Sequence, residues 1–562
     1  MRGADALIAA LERAGVDTVF GMPGGASLPV YDALLDSPVR HVLMRHEAAA
    51  GHAAEGYARA TGRVGVAFAT SGPGATNLVT PICDAHMDSI PTLFVTGQVR
   101  TALRGSGAFQ EADVLGITAP IVKHSLSVER ADDIAQAVTD ALHLAVSGRP
   151  GPVLLDVPVD VAAAPTRPVA PHVPQLPGYR PRTRPNGRQV RIAAAAIAAA
   201  RRPVLYAGGG VVHAGAAAEL TALARLTGMP VTTTLMALGA FPASDGQWIG
   251  MLGMHGTPAA NWAMDEADLI VAVGARFDDR VTGDLAEFAP HAKIVHIDVD
   301  PAEIGKNVPV HVPIVGDARR ALAAIADAFA GAETNGLAAR GDLAGGADPA
   351  RLADWWERID SWRADPSPRT DAEAALDALQ ELIGGDAIVT TDDGQHQMWA
   401  ANRLRFDRPR RWITSGGLGT MGFGLPAAIG AQIACPGETV VCVTGEGSLL
   451  LNVQELATVA HERLPVKIVV LDNRCLGMVR QQQDMFWDGR RSEVDLGATP
   501  DWLALARSFG IPAHDDIAAV AEPGPALIHV PIDPDSDCLP MFKPGAAARS
   551  MIGVRGYHTI ST

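Results

Sequence analysis

Thr439-Val440-Val441-Cys442-Val443-Thr444-Gly445-Glu446-Gly447-Ser448 is the stretch that decides the fold. Its first six residues form a continuous β-branched run, which fits a parallel strand buried on both faces. The run breaks at glycines, where the backbone can approach a ligand closely. A helix is expected over Asn452-Val-Gln-Glu-Leu-Ala-Thr-Val, and a second β-branched run, Val466 to Leu471, ends in Asp472-Asn473. Strand, helix and strand make one βαβ unit. Its right-handed crossover puts both strand ends on the same sheet edge, where open parallel sheets bind ligands. Glu446 and Asn473, 27 residues apart (446 to 473), then converge on one point. A carboxylate oxygen, an amide oxygen and phosphate oxygens together suit Mg²⁺, and a helix N-terminus favours an anion. Without Asn473, the same stretch also reads as a plain strand–turn–helix connection.

The rest of the chain repeats this alternation. Strand-like runs such as Val64–Thr70 and Thr92–Thr96 are separated by helical patterns, so the fold class expected is α/β, with three doubly wound parallel-sheet domains. A length of 562 residues allows about three or four domains. The boundaries expected are 1–163 for the first domain, 189–330 for a central one and 371–535 for a third. Residues 164–188 form a linker, with Pro at 165, 168, 171, 174, 177, 181 and 185 excluding regular structure. Residues 331–370 form a second linker, Gly/Ala/Asp-rich and then carrying Trp355, Trp356 and Trp362. Residues 536–562 form a tail.

The net charge of −16 argues against a nucleic-acid-binding face. The five cysteines, Cys83, Cys435, Cys442, Cys475 and Cys538, show no metal-ligand spacing and read as free thiols of a reducing compartment. No apolar run reaches membrane-spanning length, and the chain opens directly on an amphipathic pattern without a signal peptide. A chain of a reducing cytoplasm with no nucleic-acid or membrane partner is expected.

A second signal lies near the start. Arg45-His46-Glu47 precedes a helix of small residues, Ala48 to Ala60, and Thr70-Ser-Gly-Pro-Gly-Ala-Thr-Asn77 follows at another strand-to-helix turn. Alone, Glu47 also reads as an acid complementing a helix dipole. Together with Gly445-Glu446-Gly447 and Asp472-Asn473, these segments resemble the thiamine diphosphate enzymes. That resemblance implies that Glu446, Asn473 and the main-chain carbonyl of Cys475 hold Mg²⁺. It also implies that Glu47 bonds to the cofactor's aminopyrimidine ring, favouring the imino form that takes the thiazolium proton. Shielding from water would raise the proton affinity of this carboxyl.

Over nearly the whole chain, the sequence resembles the FAD-containing acetolactate (acetohydroxyacid) synthases, and it looks most like the bacterial isozyme-II-type enzymes. By that resemblance Phe109, Gln110 and Lys123 belong to the reaction centre, and Arg280 holds an acceptor carboxylate, a task suited to a planar guanidinium. Ser89, Gln395, His396, Gly419, Met421, Gly447 and Ser448 would contact cofactor. Met421 would wedge between the rings of thiamine diphosphate, and the Gly419 carbonyl would accept from its amine. Arg149, Gly209, Gly210, Thr234, Leu235, Gly253, Met254, His255, Gly274, Arg276, Asp278, Asp298 and Asp317 would cradle FAD. A GGG alone also reads as a tight turn. The implied partners are small 2-oxo acids, a homodimer or tetramer with active sites at the subunit interface, and a small regulatory subunit.

The sequence departs from this family at four places. Glu446 stands where thiamine diphosphate enzymes usually have Asp. Asp393 replaces an apolar residue beside the thiazolium, Gln482 replaces a Trp that sorts acceptors, and Gly107 replaces an Asp. The leading expectation is an acetolactate synthase. A carboligase of specialised metabolism with another acceptor, and a non-catalytic cofactor-binding relative, remain as alternatives.

Overall fold

The computed structural model describes residues 1–167, 173–334, 349–363 and 369–554. Three six-stranded sheets, all with parallel pairings, follow one another along the chain. The first contains β1 (Thr18–Gly21), β2 (Arg40–Leu43), β3 (Gly65–Ala69), β4 (Thr92–Gln98), β5 (His124–Ser127) and β6 (Pro152–Pro158). The central sheet contains β7 (Pro203–Ala207), β8 (Val231–Thr233), β9 (Trp248–Met251), β10 (Leu269–Val273), β11 (Lys293–Asp298) and β12 (Val312–Val315). The third contains β13 (Ile388–Thr391), β14 (Trp412–Thr414), β15 (Val440–Gly445), β16 (Lys467–Asp472), β17 (Ala513–His514) and β18 (Ala526–Pro531). The continuous apolar run of β15 is buried along its length, as a sheet covered by helices on both faces requires.

The outer sheets share one strand order, β2-β1-β3-β4-β6-β5 and β14-β13-β15-β16-β18-β17. The central sheet runs β12-β11-β10-β7-β8-β9. Counted from its own first strand, this is the 3-2-1-4-5-6 order of dinucleotide-binding sheets, and the order reverses between β7 and β10.

The first and third units touch within one chain. The small-residue helix Glu47–Thr61 packs against the helix Gly424–Ala434. Glycine permits this closeness: a Cβ on Gly56 would lie 2.1 Å from the Ala427 carbonyl oxygen, and one on Gly430 would lie 1.9 Å from that of Ala53.

The structure corrects the expected local reading in places. The helix after β15 begins at Glu446 rather than Asn452. Asn452 instead interrupts it, in a non-helical conformation, and its side-chain amide donates to the Gly422 carbonyl at 2.7 Å. The Trp-bearing helix Ala353–Ser361 packs on the central sheet, its Trp355 and Ile359 buried with Val204, Tyr206 and Ile270. The tail is a strap: Phe542 N donates to Met254 O at 3.0 Å, and Gln481 bonds to both backbone groups of Cys538. Pro168, Pro171, most of the Gly331–Asp348 stretch and the end of the tail lie outside the described residues. Among the described residues, no helix is long and apolar enough to cross a membrane.

Candidate active site

At the carboxyl ends of β13, β15 and β16, a small cavity is lined by Gln395, His396, Glu446, Ser448, Asn473 and Cys475. The Cys475 N–H donates to Glu446 Oε1 at 2.8 Å and to Asn473 Oδ1 at 3.1 Å, so both oxygens point to one place. Asn473 also donates to Gln395 Oε1 at 3.2 Å, and Gln395 donates to Gln481 Oε1 at 2.7 Å and to the Ser536 carbonyl at 3.0 Å. Burial lifts the Glu446 carboxyl to about 7, because removing a carboxylate from water without a counter-charge favours its proton. His396 is buried with no hydrogen-bond partner on Nε2, and burial pushes it down to about 3. An unpartnered buried nitrogen beside a carboxylate–amide oxygen pair fits a diphosphate with its cation.

A wider cavity adjoins through Met421, which lines the first, and Asp393, which lines both. Its walls include Gly253, Met254, His255, Arg280, Leu418, Gly419 and Gln482. Gly419 has φ +73, and a Cβ there would lie 3.4 Å from the Asp393 carboxyl group. Asp393 opens to the cavity and is exposed, yet the protein mass around it raises its carboxyl above the usual carboxylate range, with Arg280 opposing. Arg280 is reached through the turn Asp278–Gly283, where Asp278 caps the Arg280 N–H at 3.1 Å.

The first unit supplies a third group. Glu47, at the start of its helix, is buried, and Asn77 Nδ2 donates to its Oε2 at 3.0 Å. The backbone packs tightly here: a Cβ on Gly74 would lie 3.2 Å from Glu47 Oε1, and one on Gly72 would lie 2.8 Å from the Gln110 Cβ. Gln110 sits in the left-handed region at φ 60, a strained position of the kind that collects at functional sites. Phe109 is 88 % exposed. Within one chain, only Met87 of residues 1–117 reaches the cavity that holds Gly419. Lys123 joins none of these groups: its Nζ donates to the Leu144 and Ser147 carbonyls, and burial lowers it to about 8.

A cavity of about 480 Å³ opens at the reversal point of the central sheet. Gly209, Gly210, Thr234, Gly274, Arg276, Asp278, Asp298 and Asp317 line it, with Ser89 and Arg149 from the first unit. Thr234, Met236, Arg276, Asp278 and Met87 also line the cavity holding Gly419, so the two form one groove. Gly208 and Gly210, which also line the crevice, meet the turn after β10 closely. A Cβ on Gly208 would lie 2.1 Å from the Gly274 oxygen, and one on Gly210 would lie 2.6 Å from the Gly274 Cα. They let the β7 and β10 turns pack backbone to backbone and so shape the crevice. Asp298 ends β11, with burial raising it to about 6. The buried Thr234 hydroxyl lacks a partner. Strand order, acidic residue and orphan hydroxyl fit a dinucleotide. Leu235 lines the Gly419 side of the groove, Asp317 also caps the Arg320 N–H, and Arg149 bridges Ser89 to Glu303.

Some functional residues carried no recognised signal. Glu111 accepts from the Gly107 and Ala108 N–H groups at 2.9 and 3.0 Å and so shapes the loop presenting Phe109. His213 lines the central crevice, and Met87 lines the groove.

Comparison with known proteins agrees with this geometry. The family "Thiamine pyrophosphate enzyme, N-terminal TPP binding domain" matches residues 1–117, its central domain matches 190–325, and its C-terminal TPP binding domain matches 392–530. The chain is similar to the acetolactate synthase large subunit of Mycobacterium tuberculosis, at 48% identity over 580 residues, covering 99% of this chain and 92% of the relative. It is 49% identical to that of Parasynechococcus marenigrum over 576 residues, covering 98% and 91%. It is 48% identical to the isozyme 3 large subunit of Escherichia coli over 521 residues, covering 91% and 89%. With three thiamine pyrophosphate enzyme domains in order along it, the chain belongs to the acetolactate synthase large-subunit family of thiamine-diphosphate-dependent enzymes.

Proposed function

We propose that this chain decarboxylates pyruvate and transfers the two-carbon unit to a second 2-oxo acid, pyruvate or 2-oxobutyrate, in branched-chain amino-acid biosynthesis. The observation that carries this reading is the joining, at Asp393, of the cavity holding Glu446, Asn473 and Met421 to one walled by Gly419 and Arg280. Thiamine diphosphate supplies an electron sink for the pair that departing CO₂ leaves behind.

The chain's own residues do the rest. Glu446, Asn473 and the Cys475 carbonyl hold Mg²⁺, while Gln395, His396, Gly447 and Ser448 bind diphosphate. Met421 supports the cofactor's rings, and the Gly419 carbonyl accepts from its amine. Glu47 hydrogen-bonds the aminopyrimidine ring and so favours its imino form. Arg280 pairs with the acceptor's carboxylate, and Phe109 and Gln110 complete the centre, with Lys123 held apart from it on the Leu144 and Ser147 carbonyls. The central groove holds FAD, which is structural because the net reaction transfers no electrons. The domains divide as 1–163 for the pyrimidine, 189–330 for FAD and 371–535 for the diphosphate.

The active unit is a homodimer or tetramer in a bacterial cytoplasm, with a small regulatory subunit as a further partner. Support for sites between subunits is the bare surface around both half-sites: Phe109 and Leu451 are 88% and 57% exposed. Product analysis with pyruvate, thiamine diphosphate, Mg²⁺ and FAD, with and without 2-oxobutyrate, tests the reading. Acetolactate and acetohydroxybutyrate are expected. A folded, cofactor-loaded protein that releases CO₂ but forms neither product would overturn it and send the search to other acceptors, for which Asp393 and Gln482 are the polar walls.

A further inference from the structure

The segment Ser415–Thr420, which carries Gly419, is gripped from below by the helix Val79–Asp88 of the first unit. Asp88 accepts the Gly417 N–H on Oδ1 at 2.7 Å and the Gly416 N–H on Oδ2 at 3.0 Å. Asp84 accepts from the Ser415 hydroxyl at 2.5 Å, and that hydroxyl accepts the Thr420 N–H at 2.8 Å. Arg59 donates to Asp88 at 3.0 Å, to Glu55 at 3.0 Å and to Asp84 at 3.5 Å. His52 completes the group, 3.0 Å from Glu55. The side chains of Glu55, Asp84 and Asp88 are fully buried, and that of Arg59 is nearly so. With these groups buried, no water competes for their bonds. A run with glycine at 416, 417 and 419 has little stiffness of its own. Its shape is imposed by these two carboxylates from another domain.

Resting on the proposed role of Gly419, we infer that Asp88, supported by Asp84 and Arg59, is a positioning residue that fixes the Gly416–Gly417 backbone and thereby the Gly419 carbonyl toward thiamine diphosphate. Asparagine at 88 keeps the size but offers one acceptor and one donor. One of the two glycine N–H groups then faces an N–H and loses its partner. Glutamine at 55 alters the same buried cluster without touching the segment.

Thiamine diphosphate is titrated into the full-length native chain, Asp88→Asn, Ser415→Ala and Glu55→Gln, following tryptophan fluorescence, alongside thermal melting and FAD content. Asp88→Asn and Ser415→Ala should each weaken binding by about tenfold or more, the scale of a lost charge-assisted hydrogen bond. FAD content and melting should stay near native in Ser415→Ala, while Asp88→Asn, which alters the lining of the FAD crevice and takes a counter-charge from buried Arg59, should melt lower. Glu55→Gln should bind within about twofold of native, since it removes no bond to the segment. Native-like affinity in Ser415→Ala and Asp88→Asn overturns the positioning role, and so does an equal loss in Glu55→Gln. If Asp88→Asn does not fold, Ser415→Ala alone decides. Failure of the native chain to bind thiamine diphosphate would instead overturn the proposed function.

Discussion

Glu446 and Asn473 lie on neighbouring strand ends and share one hydrogen-bond donor, the backbone N–H of Cys475, at 2.8 and 3.1 Å. That shared donor aligns two oxygens of different chemistry before any cation arrives. Losing even an outer-shell partner costs about 10–100-fold in metal affinity, so losing the charge of a ligand should cost at least as much. Glu446→Gln keeps shape and burial but removes the charge. Mg²⁺ dependence measured at fixed thiamine diphosphate should shift by at least this factor, while Glu446→Asp, which keeps a carboxylate, should retain metal-dependent turnover. An unshifted Mg²⁺ dependence in Glu446→Gln would remove Glu446 from the metal site.

Glu47 is buried and receives one hydrogen bond, from Asn77. Glu47→Gln keeps that bond, since its amide oxygen still accepts, and so keeps the fold. What it loses is an exchangeable carboxyl proton. Turnover should fall by roughly 10²–10⁴-fold, the range for a positioned acid or base, with the melting curve unchanged. Normal turnover in this variant would refute the assignment.

Asp393 faces the cavity opposite Arg280, where a 2-oxo acid brings its own carboxylate. Because Asp393 is exposed, the repulsion is screened; two charges about 4 Å apart in water interact by about 1 kcal/mol, or roughly fivefold in rate. Asp393→Val should therefore raise kcat/KM for pyruvate by up to roughly this factor. Its raised proton affinity sets the sign with pH. In the native enzyme, kcat/KM should improve as pH falls and Asp393 takes a proton, and the variant should lose that part of the profile. A drop in activity would give Asp393 a role of its own.

The βαβ unit around Glu446 was legible because β-branched runs and glycine breaks are local properties. The start of its helix is not legible, because Asn452, a residue that competes for backbone groups, has the character of an N-terminus where it is an interruption. Strand order is set by tertiary packing, so the dinucleotide order of the central sheet was not readable from its strands. Nor was the packing of Gly208 and Gly210, which meet Gly274 more than sixty residues on (274 − 210). The Asp84–Asp88 clamp did leave a trace. Acids at the C-terminal end of a helix oppose its dipole, and two of them one turn apart need another reason to be there. Glu55 and Arg59, also one turn apart on a helix otherwise rich in alanine, were the matching half.

That buried cluster makes stability depend on pH in a way that one substitution, at Glu55, brings out. Burial raises Glu55 to about 8, with Arg59 opposing and Asp88 assisting; Asp84 is pushed well up by burial and by Glu55. His52, beside Glu55 and near Asp392, is lowered to about 4 by burial. A carboxyl with a raised folded pKa contributes fully below its unfolded value of 4.5 and loses that contribution as pH rises to about 8. His52 acts oppositely, but only between about 4 and its unfolded 6.5. From pH 6.5 to 8 the Glu55 effect stands uncancelled by His52. Native stability should fall there relative to Glu55→Gln, by on the order of 1 kcal/mol per pH unit. Denaturant melts of both proteins across this window check it, the difference between them isolating Glu55 and the part of the Asp84 titration that Glu55 raises. Parallel curves would mean that Glu55 is ionised in the folded protein and that Arg59 outweighs its burial.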